Sequence, residues 1–160
     1  MEKDTAIELD RIDARILTAL QADANQAIAE LSESVGLSAN ACWRRIKRLE
    51  EIGIIRGRVA LLDPMKLDLG VTVFVAIRTN EHNDDWLLKF NDAVEQIPEI
   101  VELYRMSGDV DYLMKVVVAS IAHYDQVYKR LIQLVKLTDV SSSFGMEQMK
   151  YTTALPVKHA

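Results

Sequence analysis

Six cationic side chains, Arg44, Arg45, Lys47, Arg48, Arg56 and Arg58, fall between residues 36 and 58, against two acidic ones, Glu50 and Glu51. Six against two is a local charge of +4; the whole chain carries −5, so everything outside this stretch sums to −9. Cations gathered in one place on a net-acidic chain are the footprint of a surface that meets phosphate. A charge run is more often a solvated helix face. The elements that carry these residues decide between the two.

Residues 27–53 read as a short helix, a tight turn and a second helix. Ile28, Leu31 and Val35 stand at i, i+3 and i+7, an apolar stripe for the first. Gly36 suits the left-handed position that ends a helix, and Ser38 suits the N-cap of the next. The second helix is expected over residues 38–52, stopping at Gly53. Two helices joined by so short a glycine-containing turn make a helix-turn-helix, whose second helix enters the DNA major groove. In that frame the cations point to double-stranded DNA.

At about 100° per residue, Cys42, Ile46 and Leu49 gather within about 60° of one another and face a core. Asn40, Arg44, Lys47 and Glu51 fall opposite, with Trp43 and Arg48 on the flanks. Recognition helices read bases with the N-terminal part of the exposed face, so Ser38, Asn40 and Arg44 are the base-edge candidates, arginine toward guanine and asparagine toward adenine. Lys47, Arg48, Arg56 and Arg58 fit phosphate contacts, which set register and affinity. Arg45 lies near the buried edge, open between a DNA contact and an ion pair with Glu50 or a carboxylate of the preceding helix. Trp43 either packs on the duplex backbone or closes the helical core. Cys42 reads as a small buried hydrophobe, with a redox role as the alternative.

At 160 residues and 49% hydrophobic composition, the chain can fold as one domain or two small ones. No apolar run is long enough for a membrane helix, and the first ten residues, MEKDTAIELD, lack the apolar core of a secretory signal. A lone cysteine fits a reducing cytoplasm, and His82, His123 and His159 show no metal-ligand spacing with it. No metal, cofactor or catalytic residue is expected: no Ser-His-Asp, Cys-His, P-loop or dinucleotide pattern appears, which leaves a small enzyme with little support.

A first helix is expected over residues 10–22, completing a three-helix unit over 9–53. The following IIRGRVALLDP reads as a short strand or wing, broken at Asp63-Pro64. Beyond Gly70 come strand 71–78, helix 84–96, strands 100–106 and 111–118, helix 121–135 and strand 140–151. That β-α-β, β-α-β order is the split βαβ, ferredoxin-like arrangement. The fold class is therefore α+β, with a winged helix-turn-helix domain at 1–62, a hinge at 63–70 and a ferredoxin-like domain at 71–160. Val73, Val75, Tyr104 and Met114 leave both sides of the sheet partly apolar, so a second copy of the chain is the simplest cover.

LDRIDARILTALQADA at 9–24, IAELSESVGLSANACWRRIKRLEEIGII at 28–55, VALLDP at 59–64 and YRMSGDVDYLMKVVV at 104–118 resemble the Lrp/AsnC (leucine-responsive, feast/famine) family of transcription regulators. SSSFGMEQMKYTTALP at 141–156 and CWRR at 42–45 further resemble its subgroup of cysteine-catabolism regulators. The resemblance implies DNA-binding dimers that associate further, often into octamers, and a small effector, commonly an amino acid, bound near a glycine–aspartate hairpin. Carried over, that site comprises Gly108, Asp109 and Asp111, flanked by Tyr104 and Met106, with Ser141, Ser142 and Ser143 across the cleft. Asp109 or Asp111 could accept from an ammonium; serine hydroxyls and N–H groups at the turn could donate to a carboxylate. Taken alone, residue chemistry favours Ser-Gly-Asp as an ordinary hairpin turn and the serines as ordinary strand residues; the resemblance inverts that. The two aspartates lack the further ligands of a metal site.

The leading expectation is an effector-responsive, sequence-specific transcription regulator. The alternative is an architectural protein that organises DNA with little ligand control; salt dependence and specificity ratio separate them.

Overall fold

The computed structural model describes residues 8–80 and 83–157; His82, His159 and most of the N-terminal ten residues lie outside that range. The chain divides into two compact units, one from Met1–Ala60 with Lys150–Ala160, the other from Leu61–Met149.

The first unit holds helices α1 (Arg11–Ala22), α2 (Ile28–Val35) and α3 (Ala39–Glu51). α1 starts at a reciprocal capping box: the Asp13 N–H donates to Asp10 Oδ1 at 2.7 Å and the Asp10 N–H to Asp13 Oδ2 at 3.4 Å. α2 ends on Gly36 at φ +74°, a conformation in which a Cβ is strained, and the Ser38 hydroxyl then accepts from Ala41 N to cap α3. The apolar stripes close one core of Ile16, Leu17, Leu31, Val35, Cys42, Ile46 and Leu49. Burying a side chain such as Leu49 there contributes about 1.5–3 kcal/mol.

Two expectations for this region are corrected. Residues 56–63 form no strand in the structure, and Val59, Leu61 and Leu62 are exposed, so Arg56 and Arg58 ride on a segment without strand pairing. The division also falls after Ala60 rather than across a hinge at 63–70, where a single 3₁₀ turn (Met65–Leu67) sits behind the Asp63-Pro64 break.

The second unit contains β1 (Val71–Arg78), α4 (Asp84–Glu95), β2 (Ile100–Arg105), β3 (Tyr112–Val118), α5 (Ile121–Leu134) and β4 (Asp139–Phe144). All pairings are antiparallel and the strand order is β2-β3-β1-β4, the ferredoxin-like topology. The period-2 alternation of β1 and β3 sends Val73, Val75, Ile77, Tyr112, Met114, Val116 and Val118 to the face covered by α4 and α5. Trp86 and Phe90 stack there at 4.9 Å. Of the four residues expected to leave both sides apolar, Val73, Val75 and Met114 are therefore all on the covered side. The open face carries instead Phe74 and Tyr104, 42% and 52% exposed, with Ala76, Leu113 and Val117, crossed by the ion pairs Lys115–Glu102 and Arg78–Asp139.

β4 ends at Phe144, not at residue 151. Its partner β1 runs out there, and the last ladder bond is Gly145 N–H to Thr72 O at 2.8 Å. The chain from Lys150 belongs to the first unit, not to the ferredoxin-like domain expected over 71–160. Its physical anchor is plain: the Gln21 amide donates to Leu155 O at 3.1 Å and accepts from Leu155 N at 2.7 Å, like a neighbouring strand, while Val157 packs on the helical core.

Candidate nucleic-acid interface and effector site

The outer face of α3 presents Asn40, Trp43, Arg44, Lys47 and Glu51 to solvent, opposite buried Cys42, Ile46 and Leu49. The cations of this region fall into three groups by what already holds them. The side chains of Arg44 and Arg56 make no hydrogen bond or ion pair among the described residues. Lys47 Nζ and Arg58 Nη2 share one carboxylate, Glu50, at 2.8 and 3.1 Å. The attraction of Lys47 holds the Glu50 carboxyl below its ordinary range. Solvent screens such surface pairs, so a phosphate can displace Glu50.

Arg45 and Arg48 differ in kind. Arg45 Nη1 donates to Asp13 Oδ1 at 2.8 Å and to Asp10 Oδ2 at 2.6 Å, and Arg48 Nη2 to Asp13 Oδ2 at 2.5 Å. Asp13 is 1% exposed. Withdrawing its guanidinium partners strands a buried carboxylate, at a cost of about 3–5 kcal/mol. Arg45 thus pairs with α1, neither with Glu50 nor with the preceding helix. Arg48, expected on phosphate, turns its guanidinium to the same carboxylate. The spacing of Asp10 and Asp13 as capping-box residues was visible in LDRID, but nothing in the sequence tied them to cations 35 residues away.

Trp43 is 51% exposed and does not close the core. Cys42 is fully buried, and desolvation pushes its thiol above the ordinary range, the opposite of a reactive thiolate.

The effector residues converge only in part. The hairpin turns at Gly108, φ +118°, and closes through Met106 N–H to Asp111 O at 2.8 Å and Asp111 N–H to Ile77 O at 3.0 Å. The Asp111 carboxylate accepts from Thr79 N at 2.8 Å, a scaffolding task. The Asp109 carboxylate makes no bond among the described residues, while its carbonyl accepts from Arg78 Nε at 2.6 Å. Arg78 Nη1 also reaches Asp139 Oδ2 at 2.9 Å, so this arginine stitches the hairpin to the start of β4. Sequence reasoning passed over Arg78; its only signal is a cation closing the apolar run VTVFVAI. Tyr104 donates its hydroxyl to Glu102 at 2.8 Å, back along β2. Pairing with β1 divides the serines: Ser141 and Ser143, opposite Ala76 and Phe74, share the open face, whereas Ser142, opposite Val75, bonds the buried Tyr124 hydroxyl on the helix side. Ser142 is therefore not across the cleft with its neighbours.

A helix-turn-helix with an exposed arginine on its outer face, joined to a ferredoxin-like sheet with a polar hairpin, defines a DNA-binding regulator with a separate ligand-binding domain. The chain matches the family description "Winged helix-turn-helix DNA-binding" over residues 9–56 and "Lrp/AsnC ligand binding domain" over residues 72–155. It is 57% identical to the glutamate uptake regulatory protein of Zymomonas mobilis over 94% of this chain and 92% of that one. With the DNA-binding transcriptional activator DecR of Escherichia coli strain K12 it shares 49% identity over 94% and 99% of the two chains. Among solved structures, the transcriptional regulator NMB0573 in complex with L-Met, from Neisseria meningitidis, superposes with a TM-score of 0.87 at 34% identity, covering 92% of this chain and 96% of that one. The chain belongs to the Lrp/AsnC family of DNA-binding transcription regulators. No helix among the described residues is long and apolar enough to cross a membrane.

Proposed function

We propose that this regulator acts in the cytoplasm on double-stranded DNA and answers to a free α-amino acid, which changes how copies of the chain assemble. The observation that carries the DNA half is the outer face of α3, where the side chains of Asn40 and Arg44 stand exposed with no partner among the described residues. Ser38, Asn40 and Arg44 read base edges, Trp43 lies along the backbone, and Lys47, Arg56 and Arg58 hold phosphates. Arg48 is left out of this set because Asp13 holds it.

For the effector half, Asp109 accepts from the ammonium, while Gly108 backbone, the Ser141 hydroxyl and the remaining N–H groups of Arg78 serve the carboxylate. Tyr104 and Met106 flank the site, Ser143 lies farther along the same face, and Asp111 holds the hairpin in shape. The L-Met complex of the Neisseria relative supports this class of ligand. Phe74, Tyr104, Leu113 and Val117 on the open sheet face support a homodimer, and further association up to an octamer would place several recognition helices on one duplex. The ligand acts only through different affinity for two assemblies. No catalytic step is assigned.

The test is a thermal-shift scan of the full chain with each of the twenty amino acids beside sizing chromatography. Cysteine comes first from the subgroup resemblance, then methionine and glutamate from the relatives' names. One or a few should raise the melting temperature and move the elution volume. If none shifts the melting temperature, the effector reading fails; a shift with unchanged elution removes control by assembly.

A further inference from the structure

We propose that Asp13 is a specificity-determining positioning residue, which holds Arg45 and Arg48 off the DNA phosphates and fixes the rotation of α3. The inference rests on α3 being the DNA-reading helix. Asp13 sits in the first turn of α1, is buried, and has both carboxylate oxygens occupied by guanidinium groups from α3. Arg45 and Arg48 are three residues apart on one flank of that helix, so two bonds to a single carboxylate leave α3 one way to turn against α1. The base-edge candidates Asn40 and Arg44 are presented at the angle this clamp sets.

The chemistry of the cations sharpens the point. Phosphate contacts raise affinity for every sequence alike and carry no base information. A freely hinged Arg45 or Arg48 on this helix would add to that background. Glu50 holds its cations less firmly, because it is partly exposed and solvent screens its pairs. Burial makes Asp13 the restraint that a phosphate does not displace.

The test compares three full-length proteins on two probes, a random-sequence duplex and the duplex that the wild type enriches from a random library. Asp13→Asn keeps the shape and removes the charge. It should bind the random duplex about tenfold more tightly at low salt, steepen the slope of log K against log salt by about one to two, and lower the enriched-to-random ratio. An unchanged or shallower slope overturns the proposal. Asp13→Leu/Arg45→Met/Arg48→Leu replaces the clamp with apolar side chains and releases no cation. It should keep the wild-type salt slope; a slope shallower by about one to two would mean that both arginines already touch phosphate, and overturns the proposal. Should circular dichroism find Asp13→Asn unfolded, the triple variant decides alone.

Discussion

On α3, Asn40 and Arg44 face solvent from a helix whose opposite side is fixed by Cys42, Ile46 and Leu49 and whose flank is tied to α1 through Asp13. At the hairpin over residues 106–111, fewer groups remain available. Asp111 supports Thr79, the Asp109 carbonyl is taken by Arg78, and Ser142 faces away toward Tyr124. The first surface is finished within one chain; the second is a scaffold whose Asp109 carboxylate has no bond among the described residues, with an apolar sheet face beside it. A helix can aim side chains with only its own periodicity and one packed side, whereas a ligand that must be enclosed needs walls from several elements. Reading DNA is thus a local property here, and sensing a ligand is a collective one.

The contrast can be broken at four places, taken from the largest expected effect down. An amino acid at about 100 times its Kd stabilises the chain by about 2.7 kcal/mol. Asp109→Ala should abolish that thermal shift while leaving duplex binding without effector intact; a retained shift would move the ligand off the hairpin. Arg44→Ala should cost about 1–3 kcal/mol on the enriched duplex and blunt discrimination in competition binding. If discrimination is untouched, α3 does not read with this residue. Lys47→Ala should weaken enriched and random duplexes alike and flatten the salt slope by about 0.9, the worth of one phosphate; a sequence-dependent loss would exchange the roles of Lys47 and Arg44.

The smallest effect concerns acid. The backbone N–H of Asp13, and then Arg45, hold the Asp10 carboxyl below its ordinary 3.8. Its contribution to stability is therefore present above that pH and lost as the pH falls through the lower folded value. Asp10→Asn retains a good N-cap and should flatten the acid limb of the melting curve. Identical acid limbs would show that the charge of Asp10 does not matter to α1.

Local pattern made most of the elements legible. The alternation of β1 and β3, the apolar spacing of α1 to α5, and Gly36 between α2 and α3 placed nearly every boundary within a residue or two. Short-range signals fail where the decisive partner is distant. Arg48 finds Asp13 across 35 positions, Thr79 finds Asp111 across 32, and Leu155 finds Gln21 across 134. Each pairing gives a polar group a partner that its residue type does not announce, or redirects a segment that otherwise reads as the end of β4. The serine run shows the same limit on a finer scale. Three like residues in a row promise one polar surface, but strand geometry sends the middle one to the opposite side.

The clasp between Gln21 and Leu155 has a consequence for the order of events during synthesis. The three-helix unit is translated before Leu61–Met149, yet the segment that seats Val157 against its core is translated only after all of that stretch. The reader is begun before the sensor and completed after it.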